Sequence, residues 1–352
     1  MAWMRKVFDE VLLLCPEVKT GGPEALHQLA HQIALHGGVA RMVYYAPYSR
    51  IEIEDGVLRC HAEASPMPEH FAQYDPQVLR ETRLGPGTLI VYPEPLLKHA
   101  AAQDAVHQRA VWWLSFDNAL AQNPELMDEA FRRALFGDPE LIHFFQSDYT
   151  RGFLQAWGAR QLYSLSDYTD PTFVHRSLIA SDNPPIARRR RTVCYFPNKG
   201  AELAERFIAG RVALGSQFAS ELGARLRHAV EFLPIRDMTK TEVRETLFGA
   251  QVYIDFGHHP GKDRVPREAA IAGAVVLLHD RGAAKCFADH PLAADYRFSE
   301  EDITTGRLYQ RLDEILERPE AHFAAQRVYR QVILLERERF DLEVRSFFFT
   351  GT

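Results

Sequence analysis

Between Tyr253 and Ala284 the sequence reads YIDFGHHPGKDRVPREAAIAGAVVLLHDRGAA, which concentrates residues able to bind an anion. An apolar strand leads into a loop carrying His258, His259, Gly261, Lys262 and Arg264. A helix that Pro266 is expected to open follows, and then a second apolar strand. Glycine lets the backbone approach a ligand, Lys and Arg bring positive charge, and a helix N-terminus presents N–H groups and the positive end of its dipole. At the carboxyl end of a parallel strand such a loop binds anions, with a phosphate-bearing ligand as the first expectation. Glu268 is expected in the first helical turn, where it either meets the helix dipole or accepts hydrogen bonds from ribose hydroxyls. Upstream, VCYFPNKGAE reads as strand, turn and helix start, which puts Asn198, Lys199 and the Gly200 amide at another strand end. Lys199 there is either a solvated turn lysine or a ligand for a diphosphate.

Other candidates are less specific. Gly21 and Gly22, in the first strand-to-helix turn, would let a substrate approach the backbone, but the G-x-G-x-x-G dinucleotide fingerprint is absent. Asp117 follows the apolar strand AVWWLSF and reads as a base, a hydrogen-bond acceptor in a cleft, or a turn cap. His27 and His31 stand four apart on a helix without the HExxH pattern, so they read as surface histidines and no metal is expected. Arg188 to Arg191 form a basic run that is either a solvated linker or a contact for anionic lipid or a phosphorylated acceptor.

Alternating strands and helices must position these residues. Strands are expected at Val11–Cys15, Val39–Tyr45, Gly87–Tyr92, Ala110–Phe116, Leu141–Gln146 and Gln161–Leu165. After a Pro- and Arg-rich stretch they resume at Thr192–Phe196, Val230–Pro234, Val252–Phe256 and Val275–Leu278. Helices are expected at Glu24–His36, Ala201–Ile208, Gln217–His228, from the T-x-x-E capping box at Thr239, and through much of Pro319–Phe349. The fold class is therefore α/β, with two doubly wound, Rossmann-like domains facing a central cleft. The expected boundaries are 1–178 for a first domain, 179–328 for a second, and 329–352 for a C-terminal helical segment packing back on the first domain.

The 352 residues suffice for two domains, and the 46% hydrophobic and 25% charged fractions are those of a soluble globular chain. No apolar run approaches the ~20 residues that span a bilayer. Cys15, Cys60, Cys194 and Cys286 form no CxxC pair, which suits a reducing compartment; the expected location is the cytoplasm, with peripheral contact at the inner face of the membrane. A net charge of −6 argues against nucleic acid as a partner.

Taken together, GGPEALHQLA, WWLSFDN, FPNKG, the helix at Thr239 and YIDFGHHPGKDRVPREAAIAG resemble GT-B-fold glycosyltransferases of bacterial surface-polysaccharide gene clusters, over nearly the whole chain. PREAAIAGAVVL resembles the segment in which a retaining nucleotide-sugar transferase contacts the donor ribose through a glutamate, a role the resemblance gives to Glu268. FPNKG resembles the turn that holds the diphosphate, a role it gives to Lys199. A second glutamate common in retaining members corresponds to Pro260 here, so the stereochemistry stays open, and the His258, His259, Lys262 and Arg264 loop stands in its place.

The resemblance implies transfer of a sugar from a nucleotide-diphosphate donor to a glycan or lipid-linked acceptor, without cofactor or metal. Lys199, Arg264 and helix N-termini would stabilise the leaving diphosphate, and Asp117 is a candidate base. An epimerase or hydrolase acting on a nucleotide sugar, or a non-catalytic nucleotide-sugar or glycan-binding scaffold, would use the same fold.

Overall fold

The computed structural model describes residues 5–46, 51–60, 69–102, 105–179, 183–217 and 230–350. The helix expected at Gln217–His228 lies outside them beyond its first residue. By packing, the chain divides into a first unit, Met1–Tyr168 with Glu336–Thr352, and a second unit, Thr169–Leu335.

The first unit holds a seven-stranded sheet made of β1 (Glu10–Pro16), β2 (Ala40–Tyr45), β3 (Gln77–Val78), β4 (Thr88–Pro93), β5 (Gln108–Trp113), β6 (Leu141–Phe145) and β7 (Gln161–Ser164). Its order is β7-β6-β5-β4-β1-β2-β3, with every neighbouring pair parallel. Chain order therefore runs outward in both directions from the gap between β1 and β4. Side chains alternate across a strand. Val11, Leu13 and Cys15 accordingly pack with Leu26, Leu29 and Ile33 of α1 (Gly21–Leu35), while Leu12 and Leu14 join Trp113 and Phe116 on the opposite face. A sheet covered on both faces needs apolar residues at consecutive positions, and this is why β1 reads EVLLLCP.

Several boundaries differ from expectation for identifiable reasons. Helix α1 starts at Gly21 rather than Glu24, with Pro23 third in the helix. Helix α2 (Phe116–Gln122) takes over Phe116, which the apolar run had assigned to the preceding strand. Ile51–Glu54 and Val57–Cys60 form an unforeseen hairpin, extended by Glu81–Arg83. Its turn residues Asp55 and Gly56 have φ of 50° and 70°, the conformation that Asp-Gly favours in a two-residue hairpin loop. The C-terminal helix Glu336–Phe348 belongs to this unit, where Phe340, Val344 and Phe348 enter the core shared with α1. Asp341 on it accepts from His36 Nε2 at 2.6 Å.

The second unit carries a five-stranded sheet of β8 (Thr192–Tyr195), β9 (Glu231–Pro234), β10 (Val252–Asp255), β11 (Val275–His279) and β12 (Arg297–Phe298). It too is parallel throughout, in the order β9-β8-β10-β11-β12. The order reverses between β8 and β10. Helices α3 (Ala201–Gln217), α4 (Lys240–Gly249) and α5 (Arg264–Ile271) follow β8, β9 and β10 respectively. The capping box at α4 forms: Thr239 Oγ1 accepts from Glu242 N at 3.2 Å, and Glu242 Oε2 accepts from Thr239 N at 2.7 Å.

The basic run is partly structural. The Arg189 guanidinium donates to Ala250 O at 3.0 Å and Ala272 O at 2.9 Å, closing the C-terminal ends of α4 and α5, where a cation is favoured. Among the described residues no helix is long and apolar enough to cross a membrane.

Candidate functional site

In a doubly wound sheet, ligands bind outside the carboxyl ends of the strands where the order reverses. In the second unit this is the gap beyond β8 and β10, where Tyr195, the last residue of β8, lies opposite Ile254, the last but one of β10. From β8 the chain makes a tight turn, Pro197–Lys199, and enters α3; from β10 it makes the glycine- and histidine-rich loop and enters α5.

The two loops touch backbone to backbone. A Cβ on Gly200 would fall 2.6 Å from Phe256 C and O, and one on Gly257 would fall 2.8 Å from Lys199 Cβ. Glycine is therefore needed on both sides for Lys199 to reach across the gap. It does so, with Nζ lying 2.9 Å and 3.0 Å from the two carboxylate oxygens of Asp263.

A chain of charge runs inward from that pair. Asp263 Oδ2 is 3.2 Å from His259 Nδ1, and His259 Nε2 is 3.7 Å from Asp255 Oδ1. Asp255 in turn accepts from Tyr253 Oη at 2.7 Å and Gly257 N at 2.9 Å. Burial disfavours a charged His259 ring, but the Asp255 and Asp263 carboxylates outweigh it and hold its pKa above the ordinary value. Burial likewise opposes ionisation of Asp263, yet His259 and Lys199 bring its pKa down to about 2, so it is anionic at neutral pH. His290 is the opposite case: burial, then the charges of His259, Lys262 and Arg267, hold it well below the usual range, and its Nδ1 pairs with Tyr329 Oη at 2.9 Å.

The residues singled out in the sequence take distinct places here. Asn198 and Lys199 are exposed at the strand-end turn, beside the half-buried Gly200. His258 is half-buried; His259 is buried and knits its loop to the next one, where its carbonyl accepts from Ala283 N at 2.8 Å. Gly261 is buried, and its carbonyl accepts from Asp263 N at 3.0 Å.

Lys262, one of the loop's two expected positive charges, is only 7% exposed, and its charge also acts on the buried His290. Pro266 does not open α5. The helix begins at Arg264 and Pro266 is third, so Glu268 lies beyond the first turn. The first four N–H groups of a helix have no intrahelical partner, so proline is tolerated anywhere among those positions. Pro23 in α1 obeys the same rule.

Asp255, Asp263, His290 and the fully buried Arg267 were not foreseen. Arg267 donates to Asp263 O and Lys262 O, both at 3.2 Å, and so fixes the loop's exit into α5.

In the first unit the reversal lies between β1 and β4. Gly21 and Gly22 open α1 directly after β1, and a Cβ on Gly22 would meet only Leu114 Cδ1 at 3.6 Å. Asp117 sits in the first turn of α2, beyond β5 and so one strand away from the reversal. It accepts from Tyr149 Oη at 3.0 Å and 3.1 Å.

The group at the reversal is Glu94, immediately after β4 and only 7% exposed. Burial pushes its carboxyl up to about 7 against the pull of backbone N–H groups, among them that of Ser115, which donates to Oε1. Tyr45 Oη, Ser115 Oγ and Glu17 Oε1, from neighbouring strand ends, are buried without a hydrogen-bond partner among the described residues. His27 is not on the surface: it is buried, bonded to Pro23 O and Tyr44 Oη, each at 2.6 Å.

Two parallel, doubly wound units with this connectivity define the GT-B fold, and the similarity to solved structures agrees. Sucrose-phosphate synthase from Thermosynechococcus elongatus is similar at 13% identity with a TM-score of 0.61, covering 96% of this chain and 98% of that one. HepE of Anabaena, in complex with UDP and glucose, is similar at 13% identity with a TM-score of 0.56, over 96% of this chain and 98% of that one. A UDP-forming α,α-trehalose-phosphate synthase from Burkholderia xenovorans is similar at 12% identity with a TM-score of 0.54, over 96% and 99%. No sequence-family description matches the chain, and no curated protein does.

Proposed function

We propose that this chain is a glycosyltransferase that moves a sugar from a nucleotide-diphosphate donor to a glycan or lipid-linked acceptor in the synthesis of a surface polysaccharide. The observation that carries the reading is the reversal in the second sheet. There Lys199, the paired glycines Gly200 and Gly257, and the N-terminus of α5 meet beside an anion, the Asp263 carboxylate, already held at the lysine. The charge and backbone geometry suit a diphosphate.

In this reading the leaving diphosphate's charge is met by Lys199, Arg264 and the α5 amides, with no metal or cofactor. His258, His259, Gly261 and Lys262 shape the loop around the donor. The fold similarity to a protein solved with UDP and glucose, and to a UDP-forming synthase, favours a uridine nucleotide. The acceptor is assigned to the first unit, along the strand ends that carry Gly21, Gly22 and Glu94, with Asp117 nearby.

Glu268 is assigned to the donor ribose. Glu268→Ala should weaken UDP binding about tenfold, the loss of roughly 1.4 kcal/mol expected for hydrogen bonds to a charged group. Circular dichroism of the variant should match the parent. Calorimetry that returned the same UDP affinity for both proteins would remove Glu268 from the site. Turnover is tested by incubating the chain with UDP-sugars and oligosaccharide acceptors and analysing the products for a new glycosidic bond.

A further inference from the structure

We propose that Asp263 is a resident anion that occupies Lys199 until a donor phosphate takes its place, and so sets the threshold an anionic ligand must exceed. This rests on the nucleotide reading given above.

Asp263 stands at the N-cap of α5, yet its side chain caps nothing there. Elsewhere in the chain the same residue type caps normally: Asp128 accepts from Ala130 N, and Asp170 from Thr172 N, two residues into their helices. At α5 the carboxylate is turned away, toward Lys199 at 2.9 Å and 3.0 Å and His259 at 3.2 Å. His259 is fully buried and is held on its other side by Asp255, so the carboxylate has a fixed partner on its inner side as well as Lys199 on its outer one. Lys199 is 40% exposed on its side chain and Asp263 24%, which leaves the pair open to a ligand.

A phosphate entering the gap between β8 and β10 competes with Asp263 for the ammonium group. Once displaced, Asp263 has an alternative partner, the Val265 N–H two residues on, in the geometry that Asp128 and Asp170 already use. With a carboxylate on Lys199, a singly charged or poorly placed anion gains little by replacing it, whereas a diphosphate held also by the α5 N-terminus does gain.

The test is calorimetric titration of the full chain with UDP. Asp263→Asn should bind UDP about tenfold more tightly than the parent. In a Lys199→Met background the same substitution should improve affinity less than threefold, because no lysine remains to be released. Unchanged or weaker binding by Asp263→Asn would overturn the proposal. An equal gain in both backgrounds would also overturn it, since it would mean simple repulsion between Asp263 and the ligand.

Asp263→Ser, neutral and able to cap α5, serves as the second variant should the asparagine protein fail to fold, with the same expected gain. If the parent binds no UDP, the nucleotide reading and this proposal fall together; if it binds UDP and Asp263→Asn gains nothing, only this proposal falls.

Discussion

Lys199→Met is expected to weaken UDP binding by about 100-fold while leaving the unfolding of the ligand-free chain close to that of the parent. The lysine sits at the mouth of the strand reversal, on a turn held against the β10 loop by Gly200 and Gly257. Its ammonium group is the exposed end of a charge chain that runs through the half-buried Asp263 to the buried His259 and Asp255. A charge-assisted hydrogen bond to a phosphate contributes about 1.5–3 kcal/mol, and the upper part of that range corresponds to about 100-fold. Folding is little affected because the lost ion pair is partly exposed, where such pairs contribute little. Asp263 also keeps His259 as a partner. Calorimetry with UDP measures the first effect and thermal denaturation the second. An affinity within threefold of the parent would remove Lys199 from the donor site.

Glu94→Gln is expected to make the first unit more stable than the parent at alkaline pH, and the sign follows from the direction of its shift. The folded chain holds the Glu94 carboxyl at about 7, above an ordinary value of 4.5, so folding favours the neutral acid. Stability from this group is fully present below about pH 4.5 and is lost as the pH rises through 7. A difference of about 2.5 pKa units at a buried site amounts to about 3 kcal/mol. Glutamine keeps a carbonyl that can accept from the Ser115 N–H and carries no charge at any pH.

The stability of the variant minus that of the parent should therefore be flat below pH 4.5, climb by about 3 kcal/mol, and level off above pH 7.5. Trp112 and Trp113 are buried in the first unit, and residues 169–335 contain no tryptophan, so indole fluorescence in urea reports this unit. A difference that did not vary with pH would show that Glu94 is not held as a neutral acid. The same property makes Glu94 suited to exchanging a proton with a hydroxyl near neutral pH, in the unit assigned to the acceptor.

Much of this was legible in the sequence. Consecutive apolar residues in VLLLC, VYID and VVLLH marked strands buried on both faces, and the alternation with helices led to two doubly wound sheets. The FPNKG turn and the HHPGKDR loop were both recognised as strand-end segments. What composition could not supply was their juxtaposition: Lys199 and Asp263 are 64 residues apart in the chain, and only the adjacency of β8 and β10 joins them.

Burial was the second gap. Lys262 and Glu94 look like surface residues until the fold closes over them. The expected starts of α1 and α5 fall late, just after Pro23 in one and at Pro266 in the other, whereas any of the first few helical positions accepts proline. The Asp55-Gly56 hairpin, by contrast, carried a readable turn signal.

The central claim is that a nucleoside diphosphate sits where the second sheet reverses. Hydrogen–deuterium exchange of the full chain with and without saturating UDP tests it most directly, because the proposed ligands include backbone amides at both strand ends. The account predicts slower exchange in peptides spanning 196–203 and 256–270, with that protection lost in Lys199→Met at the same UDP concentration. UDP-induced protection absent from both segments, or confined to peptides of the first unit, would contradict it.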